Sequence, residues 1–379
     1  MHQQAYFVSG LRTPFGRSFK GAYADYRPDE MIVDLIGGHH QRFPQMWESP
    51  PDEFILGCAY PEGEQGYNLA RPVALGSGLS IPAQTINRLC ASSLDAVGLA
   101  AAKIRSGFAD RILVGGVESM SRIPRRGSNF SPSSRIEQVC QSAYIPNGDT
   151  AENVAAMYPH ISRIHQEDFA AGSHESAAAA FAGGKYASSI FPLRMEQDEL
   201  IRVPVDRTKM AALPPAFSDT GQVTAATSSP LTDGATLGWV LDQSSWNDCC
   251  CEYGLEILDY VLGQVAPDVM GLGPIPATTR LLNRNDLTVN QIAAWEINEA
   301  FAIQVLACLE SLQIPRSRTN LWGGAIALGH PLGASGLRLM ITLLERLADQ
   351  EEAGALGVAT LCVGGGQGVA VLVRLVRKR

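Results

Sequence analysis

No apolar run in the 379-residue sequence approaches the ~20 residues that a membrane-spanning helix needs. A basic excess is also lacking. Thirty Lys and Arg stand against 38 Asp and Glu, a formal net charge of −8. Nucleic-acid binding draws on neutralised phosphates, so nucleic acid is excluded as the main partner. A small anionic ligand is not excluded, because a few local cations suffice for it. The eight cysteines contain no C-x-x-C pair and no His/Cys spacing of a zinc site, so no metal is expected. Residues Met1 to Val8 show no basic segment leading into an apolar one. The expectation is a chain without an export signal, with reduced thiols, in the cytoplasm.

What the sequence does hold reads as α/β. Ala5 to Val8 and Glu53 to Gly57 are short apolar strands. After Asn87-Arg88-Leu89-Cys90-Ala91-Ser92-Ser93, the residues Leu94, Val97, Ala101, Ile104 and Phe108 recur on one face of a helix. Ile112 to Val114 is a buried strand closed by Gly115-Gly116. From about Ser121 to Pro230 the chain is rich in Arg, Ser, Pro and Ala. It holds one clear helix, around Gln166 to Lys185, and reads as an insertion carried by the α/β body. The last third echoes the first. A Gly-rich turn at Gly323 to His330 precedes a helix with Leu337, Met340, Ile341, Leu344 and Leu347 on one face. The strand Gly357 to Val363 and the turn Gly364-Gly365-Gly366 follow. Both halves thus run reactive turn, helix, buried strand, Gly-rich turn. The pattern suggests a duplicated unit whose reactive turns meet at one pocket.

Several residues carry chemistry. Cys90 directly precedes a helix, whose dipole and free N–H groups stabilise a thiolate and can pull its pKa below ~8.5. Most buried cysteines are inert, so position alone leaves a nucleophile and a core cysteine level. Ser92, Ser93 and Asp95 read equally well as helix-start residues. His330 sits in Gly-His-Pro with little bulk around it. It is either a plain turn histidine or a base for a thiol and a donor to an oxyanion. Cys362 ends a buried strand before three glycines, either as core or as a second acid and base. Asn298 follows the strand Ala293 to Ile297, as a helix cap or as the holder of a water. Cys249, Cys250 and Cys251 are adjacent and share no helix face, so they receive no role. His39, His40, His160, His165 and His174 lack liganding partners at useful spacing.

Four segments, in order and rough spacing, resemble the thiolase family. They are Asn87 to Ser93 (NRLCASS), Asn298 to Ala302 (NEAFA), Gly323 to Gly336 (GGAIALGHPLGASG) and Cys362 to Gly368 (CVGGGQG). Supporting matches include GGVESMS at Gly115, GDTAEN at Gly148 and TAATSSPLTDGA at Thr224, so the resemblance spans almost the whole chain. It implies a thiolase-like fold of two similar βαβ-containing halves in αβαβα layers. The first half would be 1–120 with 232–266, the inserted loop domain 121–231 and the second half 267–379.

The resemblance also implies a reaction. Cys90 would attack the 3-keto carbon of a 3-ketoacyl-CoA and hold the acyl group. Cys362 would protonate the departing acetyl-CoA carbanion, and free CoA would then take the acyl group. His330 and a water on Asn298 would serve one oxyanion, and the N–H groups of Cys90 and Gly364 the other. Ser229 matches a position at the pantetheine arm and Arg202 one near the nucleotide. Arg122, Arg125 and Arg126 are extra cations or a solvated cluster. No permanent cofactor is implied, and coenzyme A is a substrate.

Two departures stand out. The segment between Met120 and Gly148 is shorter than the loop of tetrameric members, which leaves a homodimer as the expected assembly. Asn147 stands where many members have Met beside the acyl pocket, which puts substrate choice in doubt. NRLCASS and TAATSSPLTDGA are more similar to degradative thiolases of β-oxidation than to biosynthetic acetoacetyl-CoA thiolases. That branch brings association with a hydratase/dehydrogenase subunit as a further expectation. A ketosynthase-like enzyme pairs its cysteine with two histidines, and here Cys362 takes one of those places. A non-catalytic CoA-binding subunit would have lost Cys90, His330 or Cys362, and all three are present.

Overall fold

Strands with apolar residues on both faces must be covered on both faces, and the sequence supplies such strands repeatedly. A computed structural model describes residues 3–350 and 352–378. Its strands are β1 (Tyr6–Arg12), β2 (Gly16–Arg17), β3 (Glu53–Gly57), β4 (Ala83–Ile86), β5 (Arg111–Ser119) and β6 (Thr232–Leu241). They continue with β7 (Tyr253–Gln264), β8 (Ile292–Ile297), β9 (Leu356–Val363) and β10 (Gln367–Arg377). The order is β4-β3-β5-β6-β1-β7-β10-β9-β8, with β2 beside β6.

The order shows the duplication. In the first half β3 runs parallel to β4 and β5, while β5–β6 and β6–β1 are antiparallel. In the second, β8 runs parallel to β9, while β9–β10 and β10–β7 are antiparallel. Where the first half has β4, the second has only a single parallel bridge from Thr319 to Trp295. β7 pairs along its length with β10 and so belongs to the second half, not, as the 232–266 boundary expected, to the first; the halves join through the pairs Tyr6↔Glu256 and Phe7↔Leu255 of β1 and β7.

Period-two alternation sorts side chains into layers. Phe7, Ile112 and Val114 share one core cluster with Val371, Val373 and Leu375 from the other half. Tyr6, Val8 and Leu113 face the opposite side, against the helix Pro28–Arg42. Ala370 and Leu372 likewise face the helices Pro274–Arg284 and Ala302–Leu312. Two helices fill the shared middle layer, Ser92–Arg105 and Leu332–Asp349. The result is the αβαβα layering.

The Leu332 helix is buried on every side from Leu332 to Leu344. Its cations are therefore paired. Arg346 meets Glu296 of β8 at 2.5 Å and Arg338 meets the same carboxylate at 3.4 Å, all three buried. Gly336 lets this helix press against the Ser92 helix. A Cβ there would lie 2.5 Å from Leu94 N and 2.6 Å from Leu94 Cβ. Ser93 Oγ accepts from Leu337 N at 2.9 Å and ties the two helices together.

The insertion contributes helices and no strand of the sheet. Its helices include Ser134–Val139, Asn147–Met157, Arg163–Ala182 and Arg207–Ala211. A buried ion pair, Arg12 Nη1 to Asp198 Oδ1 at 2.7 Å, anchors it to β1. One expectation fails at an edge. The helix after Cys90 stops at Arg105, Gly107 turns the chain at φ +74°, and Phe108 is 84% exposed rather than buried on the helix face.

Gly336→Ala forces apart two backbones that nothing flexible separates. Its denaturation midpoint should fall by an amount worth about 1–3 kcal/mol. Gly37→Ala, in a helix with open space at its Cβ, should not lower it. Equal midpoints for the two variants would contradict this packing.

Candidate active site

Each reactive residue stands at the end of a sheet strand or the start of a middle-layer helix. Cys90 lies in a single tight turn, Leu89–Ala91, between β4 and the Ser92 helix. Asn87 Oδ1 accepts from Leu89 N at 2.7 Å, and its amide donates to Ala59 O at 3.0 Å. Ser92 Oγ donates to Leu89 O at 2.7 Å and accepts from Arg88 N at 3.0 Å. Leu89 is held at φ +46°, an uncommon conformation for a branched residue. His330 immediately precedes the Leu332 helix, and its N–H donates to Thr232 Oγ1 at 3.0 Å. Cys362 is near the end of β9, and Asn298 follows β8.

The hydrogen bonds of His330 fix its tautomer. Ser335 Oγ gives its one proton to Pro331 O at 2.8 Å. It therefore accepts from His330 Nδ1, 2.6 Å away. The proton sits on Nδ1 and Nε2 keeps a lone pair. Asn298 Nδ2 lies 3.3 Å from Nε2, while Asn298 Oδ1 faces the Arg338 guanidinium at 3.5 Å. The buried Arg338 thus orients the amide toward the imidazole.

Burial dominates the electrostatics. It pushes the Cys90 thiol up to about 11, although the N–H groups of Gly364 and of Cys90 itself point at the sulfur and oppose the shift. Glu118 adds to the rise and Arg125 opposes it. The helix terminus therefore does not win, contrary to the expectation of a lowered pKa. Burial, then Arg338 and Arg125, pulls His330 down to about 3. Burial, then the neighbouring Cys90, lifts Cys362 well above its ordinary value. The resting site is thus two thiols and a neutral imidazole.

Cys90, His330 and Cys362 line one cavity of about 70 Å³, with Ser229, Asn147 and Arg125 also in its wall. A larger cavity of about 460 Å³ adjoins it and shares Ser228 and Pro230. Arg202, His174 and Lys209 line the larger one. Ser229 and Arg202 thus fall in different chambers of one path. Asn298 and Gly364 are not among the lining residues and meet the site through His330 Nε2 and the Cys90 sulfur. Cys249, Cys250 and Cys251 lie just before β7 and are not among the lining residues, and His39 is held between Ser9 O and the Trp47 indole.

Three supporting residues were not singled out in the sequence. Glu118, at the end of β5, accepts from Ala59 N at 2.8 Å, Gly333 N at 2.9 Å and Gln65 Nε2 at 2.7 Å. It joins the loop after β3 to the Leu332 helix, and burial lifts it to about 7. A carboxylate inside the apolar run GGVES was the available signal. Ser335 and Arg338, the partners of His330 and Asn298, sit at helix positions that read as ordinary surface or core.

Ser335→Ala removes the acceptor that holds the Nδ1 proton. We expect kcat to fall roughly 10²-fold without loss of fold, and wild-type turnover would refute the tautomer. Because Cys90 is protonated in the resting site, its alkylation by iodoacetamide should accelerate steadily from about pH 6 to 9. A plateau below pH 8 would show a lowered pKa instead.

Residues 5–243 match the family model described as thiolase, N-terminal domain, and residues 253–375 match thiolase, C-terminal domain. The 3-ketoacyl-CoA thiolase of Bacillus subtilis is 37% identical over 98% of this chain and 100% of its own. That of Saccharophagus degradans is 39% identical over 97% of each. Among solved structures, the dimeric peroxisomal thiolase of Saccharomyces cerevisiae superposes with a TM-score of 0.90 at 32% identity, covering 99% of this chain and 98% of that one. Human mitochondrial 3-ketoacyl-CoA thiolase gives 0.86 at 30%, covering 98% and 99%. The family models cover both halves, and the relatives align along nearly their full length: the chain belongs to the thiolase family.

Proposed function

We propose that the protein is a 3-ketoacyl-CoA thiolase, an acetyl-CoA C-acyltransferase that works through an acyl-Cys90 intermediate. The observation that carries this reading is the convergence of Cys90, His330 and Cys362 on one cavity. Substrate binding brings the thioester beside His330. The lone pair on Nε2 takes the Cys90 proton, and the thiolate attacks the 3-keto carbon. The N–H groups of Cys90 and Gly364 stabilise the oxyanion that forms there, each such donor being worth about 3 kcal/mol.

Breaking the C2–C3 bond leaves the acyl group on Cys90 and an acetyl-CoA enolate. His330, now carrying a proton on Nε2, donates to the enolate oxygen together with a water on Asn298. Cys362 gives its proton to C2, and acetyl-CoA leaves. Free CoA gives its thiol proton to the Cys362 thiolate and attacks the acyl-cysteine; the Cys90 thiolate that leaves takes back the proton held on His330 Nε2, and the shortened acyl-CoA departs. The high pKa of Cys362 suits a group that must return to the thiol form. The larger cavity, with Arg202 and Lys209, receives the pantetheine arm and nucleotide, and Ser229 lies where the arm enters. Claisen condensation of two acetyl-CoA is the same sequence reversed.

The finer readings follow from the surface. Among the described residues the edge strand β4 has no partner on its outer side, and its residues are only half-buried, which suits pairing of two copies in a dimer. Sedimentation should show twice the chain mass. Exposed Phe130, Ile136 and Val139 on the insertion favour docking of a hydratase/dehydrogenase subunit, which co-purification tests. Eight free cysteines favour a reducing, cytoplasm-like compartment.

Incubation with acetoacetyl-CoA followed by peptide mass mapping should place an acetyl group on Cys90. Cys362→Ala should still acylate Cys90 from acetyl-CoA while losing about 10²–10⁴ in thiolysis. An acyl group on Cys362, or normal turnover in that variant, would overturn the assignment.

A further inference from the structure

Among the polar residues of the reactive cavity that the steps above leave unused are Arg125 and Asn147. Arg125 lines the cavity rim, exposed to solvent on one side, and among the described residues its guanidinium has neither an ion pair nor a hydrogen bond. The neighbouring cations are engaged: Arg122 with Glu64, and Arg126 with Tyr144 O at 2.6 Å and the Phe130 ring. The charge of Arg125 bears on Cys90, His330 and Tyr60, so it stands close to the reacting centre. The side-chain amide of Asn147 also has no hydrogen-bond partner among the described residues. Its Oδ1 would lie 3.6 Å from a Cβ placed on Gly364, the residue whose N–H points at Cys90 Sγ.

These groups do not belong to the coenzyme path. Arg202, Lys209 and His174 line the larger cavity, whereas Arg125 and Asn147 line only the reactive one. Asn147 stands beside Gly364, whose N–H meets the sulfur that carries the acyl group, and the charge of Arg125 bears on the same sulfur, so what meets them is the acyl portion of the substrate. The reactive cavity, at about 70 Å³ against about 460 Å³ for the larger one, favours a short acyl group. A long hydrocarbon chain gains nothing from an unpaired guanidinium and an unpaired amide, both of which lose water when it enters. A carboxylate matches both, through a forked bond from the guanidinium and an N–H from the amide.

We propose that the preferred 3-ketoacyl group is short and ends in a carboxylate that Arg125 and Asn147 receive. The proposal rests on the thiolase reading and names the substrate class of that same site. It makes the substrate a dicarboxylic 3-keto thioester, which an oxidation of the corresponding 3-hydroxyacyl-CoA would supply.

The test compares thiolysis of 3-ketoadipyl-CoA with 3-ketohexanoyl-CoA, which share a six-carbon chain and differ at its end. The wild type should favour the adipyl substrate at least about tenfold in kcat/KM. Arg125→Gln should reduce that ratio about tenfold or more, mainly by raising KM for the adipyl substrate, and Arg125→Lys should retain part of it. Asn147→Met should move the ratio toward hexanoyl. Both substrates carry the same CoA, so an arginine that served only the CoA phosphates would weaken both alike and leave the ratio unchanged. That result, or a wild type that prefers hexanoyl, overturns the proposal while leaving the thiolase reading intact. Cleavage of neither substrate, nor of acetoacetyl-CoA, would overturn the thiolase reading and this proposal with it.

Discussion

The contact between the two middle-layer helices is the constraint on which the rest depends. Cys90 stands just before one and His330 just before the other. Their separation is therefore set by how closely the helices approach, and Gly336 against Leu94 sets that approach. Ser93 fixes the register by accepting from Leu337 N. Strands of both halves press on this pair from outside, so the catalytic distance is held by the largest hydrophobic cluster among the described residues. Precision in the site is a product of core packing, which is why its residues come from far-apart segments of the chain.

The same burial sets the chemistry. An exposed thiol at a helix start would titrate low. Here enclosure keeps Cys90 and Cys362 protonated and His330 neutral until substrate arrives. Charge forms only when a thioester is present to receive it, against donors already aimed. The buried cluster of Glu296, Arg338 and Arg346 supports this arrangement, since Arg338 both orients Asn298 and disfavours a second positive charge on His330.

Much of this was legible in the sequence, and unevenly. The strand at Glu53–Gly57 and the helix carrying Leu337 to Leu347 follow directly from periodicity. The duplication was visible as a repeated order of turn, helix and strand, and the sheet order shows its full extent. β6 and β10 had no counterpart among the expected elements, because strands buried on both faces lose the alternation that marks a strand; β7, half-open along its second half, interrupts its apolar run with Glu256 and Asp259. Phe108 was misplaced because a helical face continues on paper past a glycine that ends the helix. Cys90, His330, Asn298 and Cys362 were readable because reactive residues sat among glycines. Glu118 and Arg338 were not, since their partners lie 215 and 40 residues away, in Gly333 and Asn298; Ser335 was not, because a serine one turn into a helix reads as an ordinary helix residue.

One asymmetry between the halves has a consequence for growth of the assembly. Among the described residues the first half ends in a parallel strand, β4, with a free edge, while in the second the outer edge of β8 is covered by the segment 316–320, which bridges at Thr319 and whose Arg318 and Asn320 bond Ile292, Trp295 and Ile297. A chain with matching free edges at both ends could add copies without limit, head to tail, as fibres do. With one open edge, self-pairing about a two-fold axis consumes it, and the assembly closes at two copies. Loss of a strand in the second copy of the repeat is thus a terminator of polymerisation written into the fold.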